Sequence, residues 1–248
     1  EKFDPDMVAR LVKATEQLGA TVRLNTSVQR IEKSSGSLTV HASVNGDSQT
    51  FVADLVVHGA GRVPEIDDLD LEAADVEREK RGVTVNEYLQ SVSNPAVYAA
   101  GDAAASGAPP LTPVAAMEGE VVAANLLKGN HRKPDLTAVA SIVFTLPSVA
   151  SVGLLESAAK EQGFKFRVNH QDTSEWYSSR RLGAKCSAFK VLIEKSSDRI
   201  LGAHVIGPHA EEQINLFTLA IRSGIRASDI EQTLFAYPTG ASDLSYMV

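Results

Sequence analysis

The sequence predicts an α/β segment followed by an α+β domain with an antiparallel sheet. Three observations carry that expectation. The short runs Asp54–His58 and Ala96–Ala100 are almost wholly apolar, as in strands covered on both faces. A helix start, Leu111-Thr-Pro-Val114, follows the second run closely. From about Leu136 onward, strand-like runs alternate with helical ones and are joined by tight turns. A chain of 248 residues accommodates one large domain or two ordinary ones.

The elements follow in order. Asp4–Leu18 places Met7, Val8, Leu11, Val12 and Leu18 on one helical face, and Gly19 stops the helix. Strands are expected at Thr21–Leu24, Val28–Glu32, Leu38–Val44 and Thr50–His58, with Asn45-Gly46-Asp47 turning the last two into a hairpin. Gly59–Asn94 reads as loop with a strand around Val83–Val85, and its acidic stretch Glu65–Glu79 as solvated. Thr112 is expected to cap a helix whose first position is Pro113 and which ends at Gly129-Asn130. Beyond it, strands are expected at Ile142–Thr145, Phe164–Asn169, Phe189–Glu194 and Ile200–Ile206. Helices are expected near Leu155–Gln162, Glu211–Ser223 and Ser228–Leu234, packed on one side of the sheet, the last with a capping box Ser228-x-x-Glu231. Ser196-Ser-Asp198 marks a hairpin turn.

Composition narrows the function. A net charge of −7, from 24 basic and 31 acidic residues, disfavours a nucleic-acid partner, and Arg180-Arg181 alone makes no basic face. No apolar run approaches the ~20 residues that span a bilayer, and the opening Glu-Lys-Phe-Asp-Pro does not resemble a signal peptide. That opening reads as an internal boundary of a longer polypeptide. The single cysteine, Cys186, excludes an intrachain disulfide framework and fits a cytoplasmic location. Cys186 itself reads as a small residue at the entry to a strand. His204 and His209 are too few ligands for a metal site, and none is expected.

Two motifs invite a ligand. Gly59-Ala-Gly61-Arg-Val-Pro64 resembles the start of a dinucleotide loop, but Pro64 occupies the position that needs a small residue and an acidic loop follows. It reads instead as a strand-ending turn beside a ligand. Tyr98-Ala-Ala-Gly-Asp102 delivers a carboxylate at a strand's C-terminal edge, where it could accept hydrogen bonds from a polyol or ribose. Gly101 permits close backbone approach. The N-terminus of the Thr112 helix aims N–H groups and partial positive charge at whatever lies above it, which suits a flavin pyrimidine edge. The same strand-Gly-Asp-loop-helix pattern also occurs as a purely structural turn.

Taken with Leu111-Thr-Pro-Val-Ala115, Val143-Phe-Thr-Leu-Pro147 and Ala236-Tyr-Pro-Thr239, these motifs stand in the order of the pyridine nucleotide-disulfide oxidoreductases. The chain resembles the C-terminal half of that family, which includes glutathione reductase, dihydrolipoamide dehydrogenase and mercuric reductase. The resemblance implies FAD and NAD(P)H as cofactors of the full-length protein. It also implies that residues 1–53 are the remnant of an NAD(P)H domain, 54–130 the end of an FAD domain and 131–248 an interface domain forming a homodimer. Asp102 would contact the ribityl chain. Thr112 and its neighbours Pro110, Leu111 and Pro113 would lie at the isoalloxazine, with Gly101 beside them. Gly61 would lie by the nicotinamide cofactor and Arg62 near the FAD. The family's Gly-rich loops and its Cys-x-x-x-x-Cys pair would lie upstream of Glu1, so the isolated chain is expected to bind FAD weakly and to be inactive.

One position departs from the pattern. Where glutathione and lipoamide reductases carry an acid/base His, followed five residues later by Glu, this chain has Tyr237 and Ser242, with Asp243 next. A phenol, with a reference pKa of ~10 against ~6.5 for imidazole, is a poor general base at neutral pH. Tyr237 can still donate a hydrogen bond to a thiolate, a substrate oxygen or a soft ion, or serve only as an interface aromatic. Tyrosine here resembles mercuric reductases and soluble transhydrogenases, so the acceptor is a small-molecule disulfide or one of those alternatives. A non-catalytic dimerisation module is a third reading. Trp176-Tyr177 reads as interface or loop anchors, and Glu118-Gly119 as packing within the Thr112 helix.

Overall fold

The structure is a computed structural model that describes residues 3–34 and 36–248. Glu1 and Lys2, which open the stretch weighed against a signal peptide, lie outside the described residues. The chain divides into two compact units: Thr15–Arg62, and residues 1–14 together with Val63–Val248. Helix α1 (Pro5–Gln17) begins in the larger unit and ends in the smaller one.

The smaller unit is an antiparallel sheet of β1 (Thr26–Ser34), β2 (Ser37–Val44) and β3 (Asp47–Ala53), in that order. Asn45 and Gly46 both have positive φ, 52° and 98°, which closes the expected two-residue hairpin and pairs Val44 with Asp47. Two expectations fail here. Thr21–Leu24 forms no strand, and β3 stops at Ala53, leaving 54–58 irregular. Leu55 and Val57 are 75% and 82% exposed. The run has the composition of a buried strand, but among the described residues no neighbouring strand pairs with it. A strand is made by its partners, not by its own residues.

In the larger unit, residues 63–110 wrap a small core of Ile66, Val76 and Val83 with Val85 and Val97 packed against it. The acidic stretch is therefore only partly solvated: Asp67 pairs with Arg78 at 2.6 Å while Ile66 and Val76 point inward. A short ladder joins β4 (Arg78–Glu79) and β5 (Gly82–Val83). Ala96–Ala100 is not a strand. Tyr98 makes one isolated bridge with Gln90, and Ala99 donates its N–H to Leu89 at 3.0 Å.

Helix α2 (Thr112–Lys128) follows. Its N-cap is Leu111 in extended conformation, with no side-chain capping bond, so Thr112 is the first helical residue rather than the cap and Pro113 the second. Pro113 fits there because the first turn needs no N–H from it. The other end is closed by Asn125, buried, whose Oδ1 accepts the N–H groups of His131 and Arg132 at 3.1 and 2.9 Å.

The C-terminal sheet runs β6 (Ser141–Val143), β7 (Val149–Gly153), β10 (Ile200–Ile206), β9 (Ala188–Glu194), β8 (Phe166–Asp172), all antiparallel. One face carries Phe189, Val191, Ile193, Ala203 and Val205. It packs against α5 (Ala210–Ser223), α6 (Ala227–Glu231) and α7 (Leu244–Met247), with Phe189 and Phe217 fully buried. Each such ring contributes roughly 2–3 kcal/mol of hydrophobic stabilisation. The other face is covered too: Met7 of α1 packs on Val149, Ala188 and Ile206. Helices thus lie on both faces, where one was expected. The reason is visible in β9, where the first six residues are all buried, Lys190 among them. Between the strands lie α3 (Glu156–Glu161) and α4 (Tyr177–Arg181). The N-cap of α6 is Arg226, and the Oδ2 of Asp229, three residues on, accepts the Arg226 N–H at 3.2 Å. Ser228 lies inside that helix and donates its N–H to Asp198 at 2.8 Å instead of forming the expected box with Glu231.

Candidate functional site

The segment singled out by sequence folds as a tight turn pressed against the start of α2. Gly101 has φ of 63°, and a Cβ placed on it would come 2.9 Å from the Ala115 Cβ. No side chain other than hydrogen fits both demands. The turn is held by Glu118, one helical turn further on and 1% exposed. Its Oε2 accepts the Gly101 N–H at 2.6 Å, and its Oε1 accepts the Ser106 hydroxyl at 2.7 Å. Glu118 therefore does more than pack: it fixes the loop that presents Asp102. The sequence clue was an acid, Glu118, inside the otherwise uncharged run Ala115–Gly119.

Asp102, Thr112 and Pro113 are exposed, Leu111 and Gly101 half-buried, and Pro110 exposed beside them. The first turn of α2 contains no acidic residue and no side-chain cap. Its partial positive charge is therefore turned outward without a compensating carboxylate in the helix. These residues fit a flavin: a carboxylate for hydroxyls, a helix N-terminus for a carbonyl edge that gains negative charge, and a glycine for close approach. Beside Pro113, Val114 and Met117 runs a mainly apolar groove of about 570 Å³, bounded by Ile142 and Ile214 and by Arg222, which pairs with Asp135 at 2.8 Å.

Gly61 and Arg62 lie at the end of the smaller unit, both exposed, with Gly61 at φ of 96° and open space around it. Among the described residues the next helical element is a single 3-10 turn at Asp67–Leu69, and no α-helix starts at the motif.

Tyr237 sits on the C-terminal turn, 73% exposed and preceding a cis proline, Pro238. Its ring stacks on Tyr177 of α4, with centroids 6.1 Å apart and planes 27° apart. Ser242, in the place of the family's glutamate, is buried and donates its hydroxyl to the Thr239 carbonyl at 2.7 Å, so it makes a turn and not a dyad with Tyr237. Asp243 is partly buried, and burial pushes its pKa up against the opposing influence of Ser178 and His209.

A third cluster escaped the sequence reading. Lys190 of β9 is 3% exposed, and its ammonium reaches Asp4 at 2.9 Å, Asp6, and Glu156 at 3.5 Å. Asp4, fully buried, also accepts the N–H groups of Asp6 at 3.0 Å and Met7 at 3.3 Å. Behind it lies His204, fully buried, with Nδ1 on the Ser151 hydroxyl and Nε2 toward the Leu154 carbonyl at 3.2 Å. Burial holds the His204 pKa below its ordinary value. The cluster bolts the start of α1 onto the sheet. Cys186, next to this face, is half-buried, and burial raises its thiol pKa, which disfavours the thiolate. Among the described residues no group of three or more potential ligands forms a metal site, and no helix is long and apolar enough to cross a membrane.

Comparison with known proteins decides the family. Residues 1–119 match the model described as pyridine nucleotide-disulphide oxidoreductase, and residues 139–248 match that family's dimerisation domain. The chain belongs to the pyridine nucleotide-disulfide oxidoreductases. These are FAD- and NAD(P)H-using flavoenzymes, and their dimerisation domain implies homodimers in the family. Among relatives, a 19.7 kDa protein of the mercuric resistance operon of Staphylococcus aureus, itself uncharacterised, is 51% identical over 73% of this chain and 100% of its own length. A mercuric reductase of Staphylococcus aureus is 32% identical over 98% of this chain and 44% of its length. A dihydrolipoyl dehydrogenase of Geobacillus stearothermophilus is 32% identical over 96% of this chain and 50% of its length. The chain thus spans about half the length of these two oxidoreductases. The same fold occurs in the HOCl-induced flavoprotein disulfide reductase RclA of Escherichia coli. There the TM-score is 0.86 and the identity 22%, over 99% of this chain and 55% of that one.

Proposed function

We propose that this chain forms one wall of an FAD site and the dimer interface of an NAD(P)H-dependent oxidoreductase. One observation carries the reading: the exposed, uncapped N-terminus of α2, with the Gly101-Asp102 turn fastened to it by Glu118. Residues 1–53 would be the remnant of the NAD(P)H domain, 54–130 the end of the FAD domain and 131–248 the interface domain. Bound FAD would supply the redox chemistry. Asp102 would hold ribityl hydroxyls, and Thr112 with Pro110, Leu111 and Pro113 would line the ring. Gly61 and Arg62 would lie at the nicotinamide and FAD sides. The remaining walls would come from residues outside this chain, a reading supported by its covering 44% and 50% of two oxidoreductase relatives.

In the homodimer, Tyr237 would stand at the partner's redox centre as a hydrogen-bond donor. A phenol is in general a poorer acid/base group near neutral pH than the imidazole whose place it takes. A second reading concerns the acceptor: mercuric ion as substrate is favoured over a small-molecule disulfide by the mercuric relatives together with Tyr237 in the place of His. The test is to incubate the purified 248-residue chain with FAD, remove excess, and record flavin absorbance alongside sedimentation. The expected result is a dimer retaining little flavin. A strict monomer would remove the interface reading, and stoichiometric retained flavin would remove the shared-site reading. Supplying NAD(P)H and mercuric ion or a disulfide to a flavin-loaded full-length protein then separates the acceptors.

A further inference from the structure

We infer that Tyr177 is a positioning residue for Tyr237, holding its phenol in one orientation. The inference rests on the role proposed above for Tyr237 and names the residue that makes that role workable. Both rings are well exposed, 57% for Tyr177 and 73% for Tyr237, yet they stack with centroids 6.1 Å apart. Exposed rings gain little from burial, so their order has to come from the frames that carry them.

Both frames are fixed. On the Tyr177 side, the preceding Trp176 sets its ring against Phe189 at 5.8 Å and edge-on to Tyr246 at 6.0 Å, which anchors the start of α4 in the core. On the Tyr237 side, the Thr239 hydroxyl donates to the Ala236 carbonyl at 2.6 Å, and Gln213 Nε2 donates to the Gly240 carbonyl at 2.8 Å. Gly240 lies so close to His209 that a Cβ would come within 2.9 Å of it. With both backbones pinned, the remaining freedom is rotation of the Tyr237 side chain. An offset stack restricts it. A hydrogen-bond donor acts on a substrate only when its oxygen is delivered to a fixed point, and that is what the Tyr177 ring provides.

The test uses the full chain labelled with 3-fluorotyrosine, with the Tyr237 resonance assigned through Tyr237→Phe. Tyr177→Phe keeps a ring and should leave that resonance in place. Tyr177→Ala, and Tyr177→Leu should the alanine variant fold poorly, should move it toward the value of a free tyrosine. In a flavin-loaded protein that turns over, Tyr177→Ala should lower kcat roughly three- to tenfold with KM unchanged, and Tyr177→Phe should restore it. An unmoved Tyr237 resonance in both ring-less variants overturns the inference, as does equal kcat in wild type and Tyr177→Ala. If the resonance moves as expected but the flavin-loaded full-length protein oxidises no NAD(P)H, the flavoenzyme reading falls and the positioning of Tyr237 stands.

Discussion

Replacing Lys190 by methionine keeps most of the stem's length and removes the ammonium from a site that is 3% exposed. Asp4, fully buried, then loses its 2.9 Å partner. Removing one member of a buried ion pair costs about 3–5 kcal/mol, because the other charge is left uncompensated. Asp4 keeps the Asp6 and Met7 N–H groups at 3.0 and 3.3 Å, which places the loss near the lower end, about 3 kcal/mol. Trp176, the single tryptophan, sits 5.8 Å from Phe189 on the same strand and reports on this part of the fold by fluorescence. With a urea slope of about 2–3 kcal/mol per molar, Lys190→Met should lower the midpoint by about 1–1.5 M. Adding Asp4→Asn removes the stranded charge and should recover about 1 kcal/mol, a coupling that independent sites do not show. A midpoint within ~0.2 M of wild type would show that Lys190 contributes nothing that its apolar stem does not.

Other substitutions probe the Gly101–Asp102 turn and the buried His204. Gly101→Val meets both a φ of 63° and the Ala115 contact at 2.9 Å, so it should destabilise by about 2–3 kcal/mol in thermal melts. Glu118→Ala strands the Gly101 N–H and the Ser106 hydroxyl and should cost about 2 kcal/mol, while Glu118→Gln, which keeps one acceptor oxygen, should cost less by the same melts. The His204 pKa is lowered in the fold, so the unfolded chain takes up its proton first. Stability is then full above about pH 6.5 and declines as pH falls toward the folded pKa. The Asp6 carboxyl is held below its ordinary value by Lys190 and that of Glu156 by Lys160, so their contributions disappear at still lower pH. Denaturation midpoints measured across that range should fall in two stages, and His204→Gln should flatten the upper one.

Much of the fold was legible because its signals are local. The Asn45-Gly46 hairpin, the Pro113 start and Gly129 end of α2, and the α5 helix each announce themselves within a few residues. What failed depends on distant partners or on short length. Asp54–His58 and Ala96–Ala100 carry the composition of buried strands but meet no paired strand among the described residues. Strand β7 is five residues of mostly small side chains, and α4 is five residues long, too short for a helical period to register. The acid that bonds back to the N-cap of α6 is Asp229, whereas a pattern search prefers Ser228-x-x-Glu231. Only the backbone direction at Arg226 separates the two.

The candidate site divides along the same line. Asp102, Thr112 and Tyr237 could be named from sequence because the resemblance aligns them within short motifs, but their surroundings could not. Glu118 reaches back 17 positions to Gly101, Tyr237 finds Tyr177 from 60 positions away, and Lys190 finds Asp4 from 186. A motif states which group is present, and its chemistry depends on what long-range packing places beside it. For Tyr237 that distinction decides the reading. The motif alone offers a weak base where imidazole would stand, whereas the structure sets the phenol against a second ring on a pinned turn, with Ser242 turned away into the backbone. On the role proposed for Tyr237, the position would act as an oriented hydrogen-bond donor and not as an acid/base pair. If that proposal holds, the acceptor would be one whose reduction needs an orienting contact at that point and not a proton relay.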